Sequence, residues 1–515
     1  MKHIFSSSVL GLMLVAGTLQ AQNTLNVNVG QAKTKISKEI YGQFSEHLGT
    51  CIYEGIYVGK DSKIPNIDGY RTDVVNAFKE LKVPVLRWPG GCFADTYHWK
   101  DGIGPQKNRP SIVNVHWGNV TEDNSFGTHE FLNFCELIGT EPYLSINVGS
   151  GSIQEASEWV EYVTSANENP MSALRKKNGR EDPWNVKFWG IGNETWGCGG
   201  EMRPEYYADV YRQYSTYVRG NNLQKVAVGP SSGDYNWTEK MMQGLQDKKH
   251  LVQVLSLHNY TLPTGSWSGS KGSSTDFGED MYFTTIRRTM EIEGLIKNHL
   301  AIMDKYDPEK KITLAVDEWG TWYDPLPGTN PGFLQQQNTV RDAIVAAVNL
   351  NIFNNHADRI SMCNIAQVVN VLQAMILTKG ELMVKTPTYY VFKLYNVHQE
   401  ATLVPTEIKC EDYVFNGEKL PAVTSSASIK DGVVSITLCN INPNKAEKVE
   451  CTFDGTDLKT ATGQIVNGKN ITDYNDFGQP EKVKIEPFKV AAPKNGKLSV
   501  EIPAHSVVLV QLSAK

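Results

Sequence analysis

Eight short apolar runs recur between residues 40 and 367, and each is separated from the next by room for a helix. They are IYGQFSEH (40–47), VPVLRWPG (83–90), PYLSINVG (142–149), VKFWGIGNE (186–194), KVAVGPS (225–231), VQVLSLHNY (252–260), ITLAVDEW (312–319) and RISMCNIAQ (359–367). Amphipathic stretches lie between them, among them 68–81, 128–138, 155–167, 205–219, 283–304 and 337–353. Strand–helix alternation implies a parallel sheet, because a helical crossover returns the chain to the end from which it started. Eight such units predict a closed (β/α)8 TIM barrel rather than an open doubly wound sheet, and no GxGxxG phosphate loop follows any of the strands. A barrel of this kind is packed solid inside, so its chemistry is expected at the C-terminal ends of the strands.

The texture changes near Pro387. VVSITLCNI (433–441), KVECTF (448–453), KLSVEI (497–502) and SVVLVQLS (506–513) alternate with period two and are punctuated by Gly, Asn, Asp and Pro. That pattern predicts a C-terminal antiparallel β-sandwich, jelly-roll-like, over 387–515, beside a barrel over 40–386. TLNVNV (24–29) alternates in the same way, so the segment 22–39 is expected to lend the sandwich a strand. A chain of 515 residues accommodates one large and one smaller domain.

The first 21 residues read as a signal peptide: Lys2 and His3, an apolar run over 9–16, and a cleavage site ending at Ala21 with an imperfect Leu19 at −3. Export to the periplasm or beyond is therefore expected. The apolar run is too short for a membrane span. The eight cysteines are widely and irregularly spaced, so most are expected to be free or buried thiols, with Cys439 and Cys451 a candidate pair across a hairpin. A net charge of −6 argues against a nucleic-acid partner.

Polar residues collect where the runs end: Glu46 and His47, Arg87 before PGGCF, Asn147, Asn193 with Glu194, His258 to Tyr260, Asp317 with Glu318, and Asn364 to Gln367. In a barrel these ends converge. Glu194 and Glu318, each with a tryptophan just after it (Trp196, Trp319), suit glycosidic cleavage. One carboxyl must be protonated to assist the leaving oxygen, and the other ionised to attack or to activate water. Read one at a time, each glutamate also fits a structural ion pair, His258 fits a structural histidine, and Arg87 fits either a buried carboxylate such as Glu46 or the substrate. Glu46, His47, His258 and Asp317 could surround a metal, yet HExxH and an early HxH are absent, so neither metal nor cofactor is expected. GxSxG is absent as well.

EIYGQFSEHLG (39–49), LRWPGGCFADTYHWKDGIGP (86–105), WGIGNETWGCGG (189–200), LHNYT (257–261), VDEWGTWYDPLPGTNPGF (316–333) and NVLQAMI (370–376) together resemble the family 51 glycoside hydrolases, chiefly α-L-arabinofuranosidases. The resemblance implies a retaining mechanism with Glu194 as acid/base and Glu318 as nucleophile. It also implies that Glu46, Asn193 and Gln373 hold furanose hydroxyls, that Cys92 lies near the sugar, that Tyr260 orients Glu318, and that His258 serves Glu194. The expected partner is an arabinose-containing polysaccharide or oligosaccharide, such as arabinan or arabinoxylan, cleaved in exo fashion by a homo-oligomer. Endoglucanase or β-xylosidase activity within the same family, and a non-catalytic polysaccharide-binding protein, are the alternatives.

Overall fold

The structure, a computed structural model, describes residues 23–514; the expected signal peptide lies outside the described residues. Eight parallel strands close a barrel: Gly42–Phe44, Val85–Trp88, Glu141–Ile146, Phe188–Ile191, Gln224–Ala227, Val254–Thr261, Thr313–Thr321 and Ile360–Ala366. Each overlaps one of the eight apolar runs, and the ring closes where Asn364 pairs with Gly42 and Ala366 with Phe44. One apolar layer fills the interior, contributed by Val85, Tyr143, Phe188, Val226, Val254, Ala315 and Met362. The first strand gives that layer Gly42, where a Cβ would stand 2.6 Å from Val85 Cγ1 and 2.2 Å from Asn364 Oδ1. No side chain fits there, so the glycine completes a solid plug beneath the strand ends.

The helices Thr72–Leu81, Thr128–Ile138, Ile153–Thr164, Pro204–Tyr217, Glu279–Tyr306 and Val340–Asn355 occupy the expected crossovers. Three more are not expected from the sequence, the first of them Pro170–Lys177, which Asn169 caps through the Ser172 N–H. Tyr235–Leu245 starts where the Asp234 side chain accepts the Trp237 N–H. Pro387–Tyr395 begins with proline at its first position, and Thr386 caps the Tyr389 N–H. The break in pattern at Pro387 is thus the start of a helix. That helix packs on Val340–Asn355 and Thr72–Leu81 of the outer ring and also touches the sandwich strands Thr460–Val466 and Ser506–Ser513, so it lies at the seam between the two parts.

The C-terminal part forms two sheets. One contains, in order, Thr34–Lys35, Thr402–Val404, Val423–Lys430, Val433–Asn440, Ser506–Ser513, Thr460–Val466 and Ile485–Phe488; the other contains Thr406–Lys409, Asn23–Asn28, Glu447–Asp454 and Lys497–Ile502. Pairing is antiparallel except that Asn23–Asn28 runs parallel to Glu447–Asp454. A strand arriving from the far end of the chain is free of the hairpin that would make it antiparallel. Cys439 and Cys451, expected to face each other across a hairpin, sit on different sheets as separate buried thiols, because the chain crosses from one sheet to the other between them.

The helix Val340–Asn355 is buried on every side, wedged between the barrel and the sandwich strands Val423–Lys430 and Val433–Asn440. Its asparagines bond across that seam: Asn351 with Thr424, Ser426 and Thr437, and Asn354 with Tyr41 and Ser426. Among the described residues no helix is long and apolar enough to cross a membrane.

Leu25 is fully buried in the N-terminal strand. Leu25→Ala should cost about 3 kcal/mol, read as a lower urea midpoint in an equilibrium unfolding curve with an unchanged slope.

Candidate active site

Directly above the apolar plug lies a polar layer organised by Arg87. Its guanidinium donates to Glu318 Oε1 at 2.7 Å, to Asn193 Oδ1 at 2.6 Å and to Ser145 Oγ at 3.3 Å, and it packs 4.5 Å from the Phe44 ring centre. Asp317 lies 3.6 Å away and accepts from the Tyr143 hydroxyl and the Asn364 amide. Arg87, 1 % exposed, therefore carries the carboxylates from below, whereas the sequence reading placed it against substrate or Glu46. Successive strand residues normally face opposite ways, yet Asp317 and Glu318 both turn inward. The register explains it: Leu257 and His258 face Val316 and Glu318, so Asp317 is an extra residue in the strand. A bulge at that point re-aims the carboxylate that follows.

Glu194 lies three residues past the fourth strand in a left-handed conformation, φ +38°, with Gly192 at φ +89° two residues before it. A Cβ on Gly192 would lie 3.2 Å from Val148 and from Thr195. Holding a non-glycine residue there costs of order 1–3 kcal/mol, and the surrounding contacts fix it. His258 Nδ1 bonds Glu194 Oε1 at 2.8 Å and stands 3.6 Å from Glu318 Oε2; the Tyr260 hydroxyl donates to Glu318 Oε2 at 2.8 Å. One oxygen of Glu194, one of Glu318 and a His258 nitrogen all lie within 4.8 Å of one another.

The two carboxyls live in opposite electrostatic settings. Burial pushes Glu194 above the usual carboxylate range, and the Glu318 charge adds to that, against the His258 hydrogen bond. Burial would raise Glu318 too, but the His258 and Arg87 charges, with hydrogen bonds from Arg87 and Tyr260, outweigh it and hold Glu318 low. Environments that push a carboxyl pair apart separate an acid from a base. His258 is itself raised: burial opposes its charge, and Glu318 and Glu194 prevail.

A cavity of about 350 Å³ opens over this pair, lined among others by Glu46, Cys92, Trp117, Trp196, Trp267, Trp322 and Gln367. Glu46 accepts from the Phe93 N–H, the Trp117 indole and the Gln367 amide, and burial, then the Glu318 charge, push it up to about 7. The PGG loop makes this closeness feasible. A Cβ on Gly90 would stand 2.8 Å from Glu46 Cγ, and one on Gly91 3.0 Å from Glu318 Oε1. Asn193 stays below the cavity, its carbonyl held by Arg87.

Two expectations shift. Gln373 does not reach the cavity: it accepts the Thr321 N–H and donates to the Asp342 carbonyl and Thr388. The amide at the cavity is that of Gln367, six residues earlier, because the chain loops back after the eighth strand. Cys92 is no free thiol but is bridged to Cys198, tying the PGG loop to the loop that carries Glu194.

Asp95, unremarked in the sequence, reinforces that tie by accepting the backbone N–H groups of Val148, Gly149 and Asn193; burial pushes it up to about 7. A carboxylate inside the apolar turn CFADT was its one available signal. His47 is committed elsewhere, to Glu122 and to the Trp88 indole. The four-residue metal set entertained from sequence thus does not assemble. Among the described residues two other groups bring three ligand atoms within 4.8 Å: Glu194, His258 and Glu318, and Cys92, Glu194 and Cys198.

Comparison with known proteins agrees over nearly the whole chain. Residues 77–267 match the α-L-arabinofuranosidase 1 domain and residues 317–506 the α-L-arabinofuranosidase C-terminal domain. An intracellular exo-α-L-arabinofuranosidase from Bacteroides ovatus is 54 % identical over 97 % of both chains. Among solved structures, the GH51 arabinofuranosidase of Xanthomonas axonopodis pv. citri superposes with a TM-score of 0.93 at 49 % identity, over 96 % of this chain and 100 % of that one. An α-L-arabinofuranosidase from Thermotoga maritima, solved with arabinose, gives 0.80 at 31 % identity over 95 % and 99 %. The Bacteroides ovatus protein also overturns the expectation of export. A relative so similar is intracellular, and the short basic segment with Leu19 at −3 is too weak a signal to stand against it.

Arg87→Met should destabilise the fold at neutral pH by about 3–5 kcal/mol, since it leaves buried carboxylates without their cation. With Arg87 present, Glu318 is held below its unfolded value, so its contribution is complete above that value and is lost as pH falls through the folded one. Without the cation, burial dominates and the sign reverses. The deficit seen by thermal unfolding should therefore shrink as pH falls toward about 4, the ordinary carboxyl range.

Proposed function

This chain belongs to the glycoside hydrolase family 51 α-L-arabinofuranosidases, and from that premise we propose a retaining double displacement with Glu318 as nucleophile and Glu194 as acid/base. The observation that carries the reading is the pair itself, with carboxyl oxygens within 4.8 Å and opposite charge preferences. A separation of about 5 Å suits direct attack, whereas inversion needs roughly 6.5–9.5 Å to seat a water between carboxylate and sugar.

In the first step Glu318 attacks the anomeric carbon while Glu194 gives its proton to the departing oxygen. Glycosylation then removes the negative charge of Glu318, and with it one of the influences that hold Glu194 protonated. Glu194 thereby becomes a better base for the incoming water, which releases arabinose and restores Glu318. His258 accompanies Glu194 through both protonation states, and Tyr260 keeps Glu318 oriented. Glu46, with Gln367 and the Trp117 indole beside it, contacts furanose hydroxyls. Near neutrality Glu46 is partly protonated and both donates and accepts.

The cavity accommodates one terminal furanose with tryptophans around its opening, and no lysine or arginine lines it among the described residues. This favours exo removal of arabinofuranose from a neutral chain such as arabinan or arabinoxylan. The polysaccharide-binding alternative is set aside, because a pure binding site has no use for two carboxyls poised in opposite protonation states.

Release of nitrophenol from 4-nitrophenyl α-L-arabinofuranoside tests the reading. Glu318→Ala should abolish turnover. Glu194→Ala should slow substrates with poor leaving groups by about 10²–10⁴-fold, whereas on the nitrophenyl substrate, whose leaving group needs no proton, azide should take the place of activated water in deglycosylation and rescue turnover as an α-azide product. Methanolysis followed by NMR should yield the α-methyl furanoside; a β product would sink the retaining mechanism. Glu318 ionisation should set the acidic limb of kcat/KM and Glu194 the basic limb. Tyr260→Phe removes one hydrogen bond that holds Glu318 low and should move only the acidic limb, upward.

A further inference from the structure

The disulfide Cys92–Cys198 is placed where a structural staple is hardly needed, since Asp95 already joins the same two loops through the Asn193 N–H. Its position beside the acid/base is the more informative fact. Cys198 Sγ stands 3.7 Å from Glu194 Oε2, and one atom each of Cys92, Glu194 and Cys198 lie within 4.8 Å of one another. All three residues are partly exposed, and Cys92 and Glu194 line the cavity.

We propose that, when a dithiol reductant opens this disulfide, Cys92, Cys198 and Glu194 become a binding site for a thiophilic divalent cation such as Zn²⁺, and that the closed disulfide keeps such ions off the acid/base. In the opening step the S–S bond takes up two electrons and two protons, while the dithiol is oxidised to its own cyclic disulfide. The cation then displaces both thiol protons and is held by two thiolates and a carboxylate.

The geometry suits the ion. Zinc bonds of about 2.3 Å to sulfur and 2.0–2.2 Å to oxygen in a tetrahedron place a sulfur and an oxygen ligand roughly 3.5 Å apart, close to the contact already present. Glu194 turns Oε2 toward Cys198 and Oε1 toward His258. His258 would thus support the carboxylate from behind, the arrangement that orients metal ligands elsewhere. The fourth position faces the cavity and is open to water. A captured ion would occupy the oxygen through which Glu194 exchanges its proton, so the reduced, metal-loaded enzyme would lose the contribution of its general acid and base. The silencing rests on the acid/base reading of Glu194; the binding does not.

Co²⁺ titration of oxidised and dithiothreitol-reduced enzyme, freed of excess reductant under argon, tests the site spectroscopically. The reduced form alone should bind one equivalent, showing a thiolate-to-cobalt charge-transfer band and tetrahedral d–d bands. Zn²⁺ should displace the cobalt and lower turnover by about 10²-fold, the least a general acid contributes, and a chelator should restore it. Cys92→Ser and Cys198→Ser should both lose the band, whereas Cys410→Ser, which removes the one half-buried thiol elsewhere, should keep it. Absence of the band in reduced wild type, or its survival in Cys198→Ser, would overturn the site. A full band with undiminished turnover would overturn the silencing, and azide rescue of oxidised Glu194→Ala shows separately whether the acid/base reading has itself failed.

Discussion

A single guanidinium, buried on the barrel axis, is the constraint from which the site follows. Arg87 cannot shed its proton, so the groups around it must supply acceptors and negative charge. They do so from four strands: Ser145 from the third, Asn193 just past the fourth, Asp317 and Glu318 from the seventh, and the Phe44 ring from the first. Because these partners converge on one cation, the strand ends are fixed relative to one another before any loop is considered. The downward push on Glu318 and the upward push on Glu194 are two readings of one field, the first carboxyl beside the cation and the second farther from it.

The layers are ordered by polarity. The apolar plug with Gly42 excludes water from below, the Arg87 layer distributes charge, and the glutamates meet the cavity above. Precision at the top comes from backbone irregularities: the bulge at Asp317, the left-handed Glu194 and the close-packed glycines of the PGG loop. Regular strands would have turned one of the two consecutive carboxylates outward.

Much of this was legible from the chain. Periodicity shows the eight strands, and the strand-end rule isolates Glu46, Glu194, His258, Tyr260 and Glu318. Legibility ends where a residue's task depends on the path of an irregular segment. Gln367 and Gln373 both follow the eighth strand, and only the three-dimensional course of the loop separates the amide at the cavity from the one buried against Asp342. Cys92 and Cys198 are 106 residues apart, a distance across which no sequence spacing proposes a bond. Asp95 goes unmarked in the sequence because its partners are backbone amides, which carry no side-chain signature. The helix 387–395 escaped because a proline that opens a helix reads the same, locally, as one that ends an element.

The wholly buried helix Val340–Asn355 has a consequence beyond packing. Its first turn reaches the site, since Asp342 accepts from Thr321 and Tyr323, at and just past the end of the strand that carries Glu318, while its asparagines grip the sandwich. A helix clad on both sides has no face of its own to offer water. The barrel and sandwich are therefore poor units of recombination: swapping either for a foreign module would expose an apolar surface and loosen the footing of Glu318. The two parts are bound to diversify together, with novelty confined to the loops around the cavity mouth.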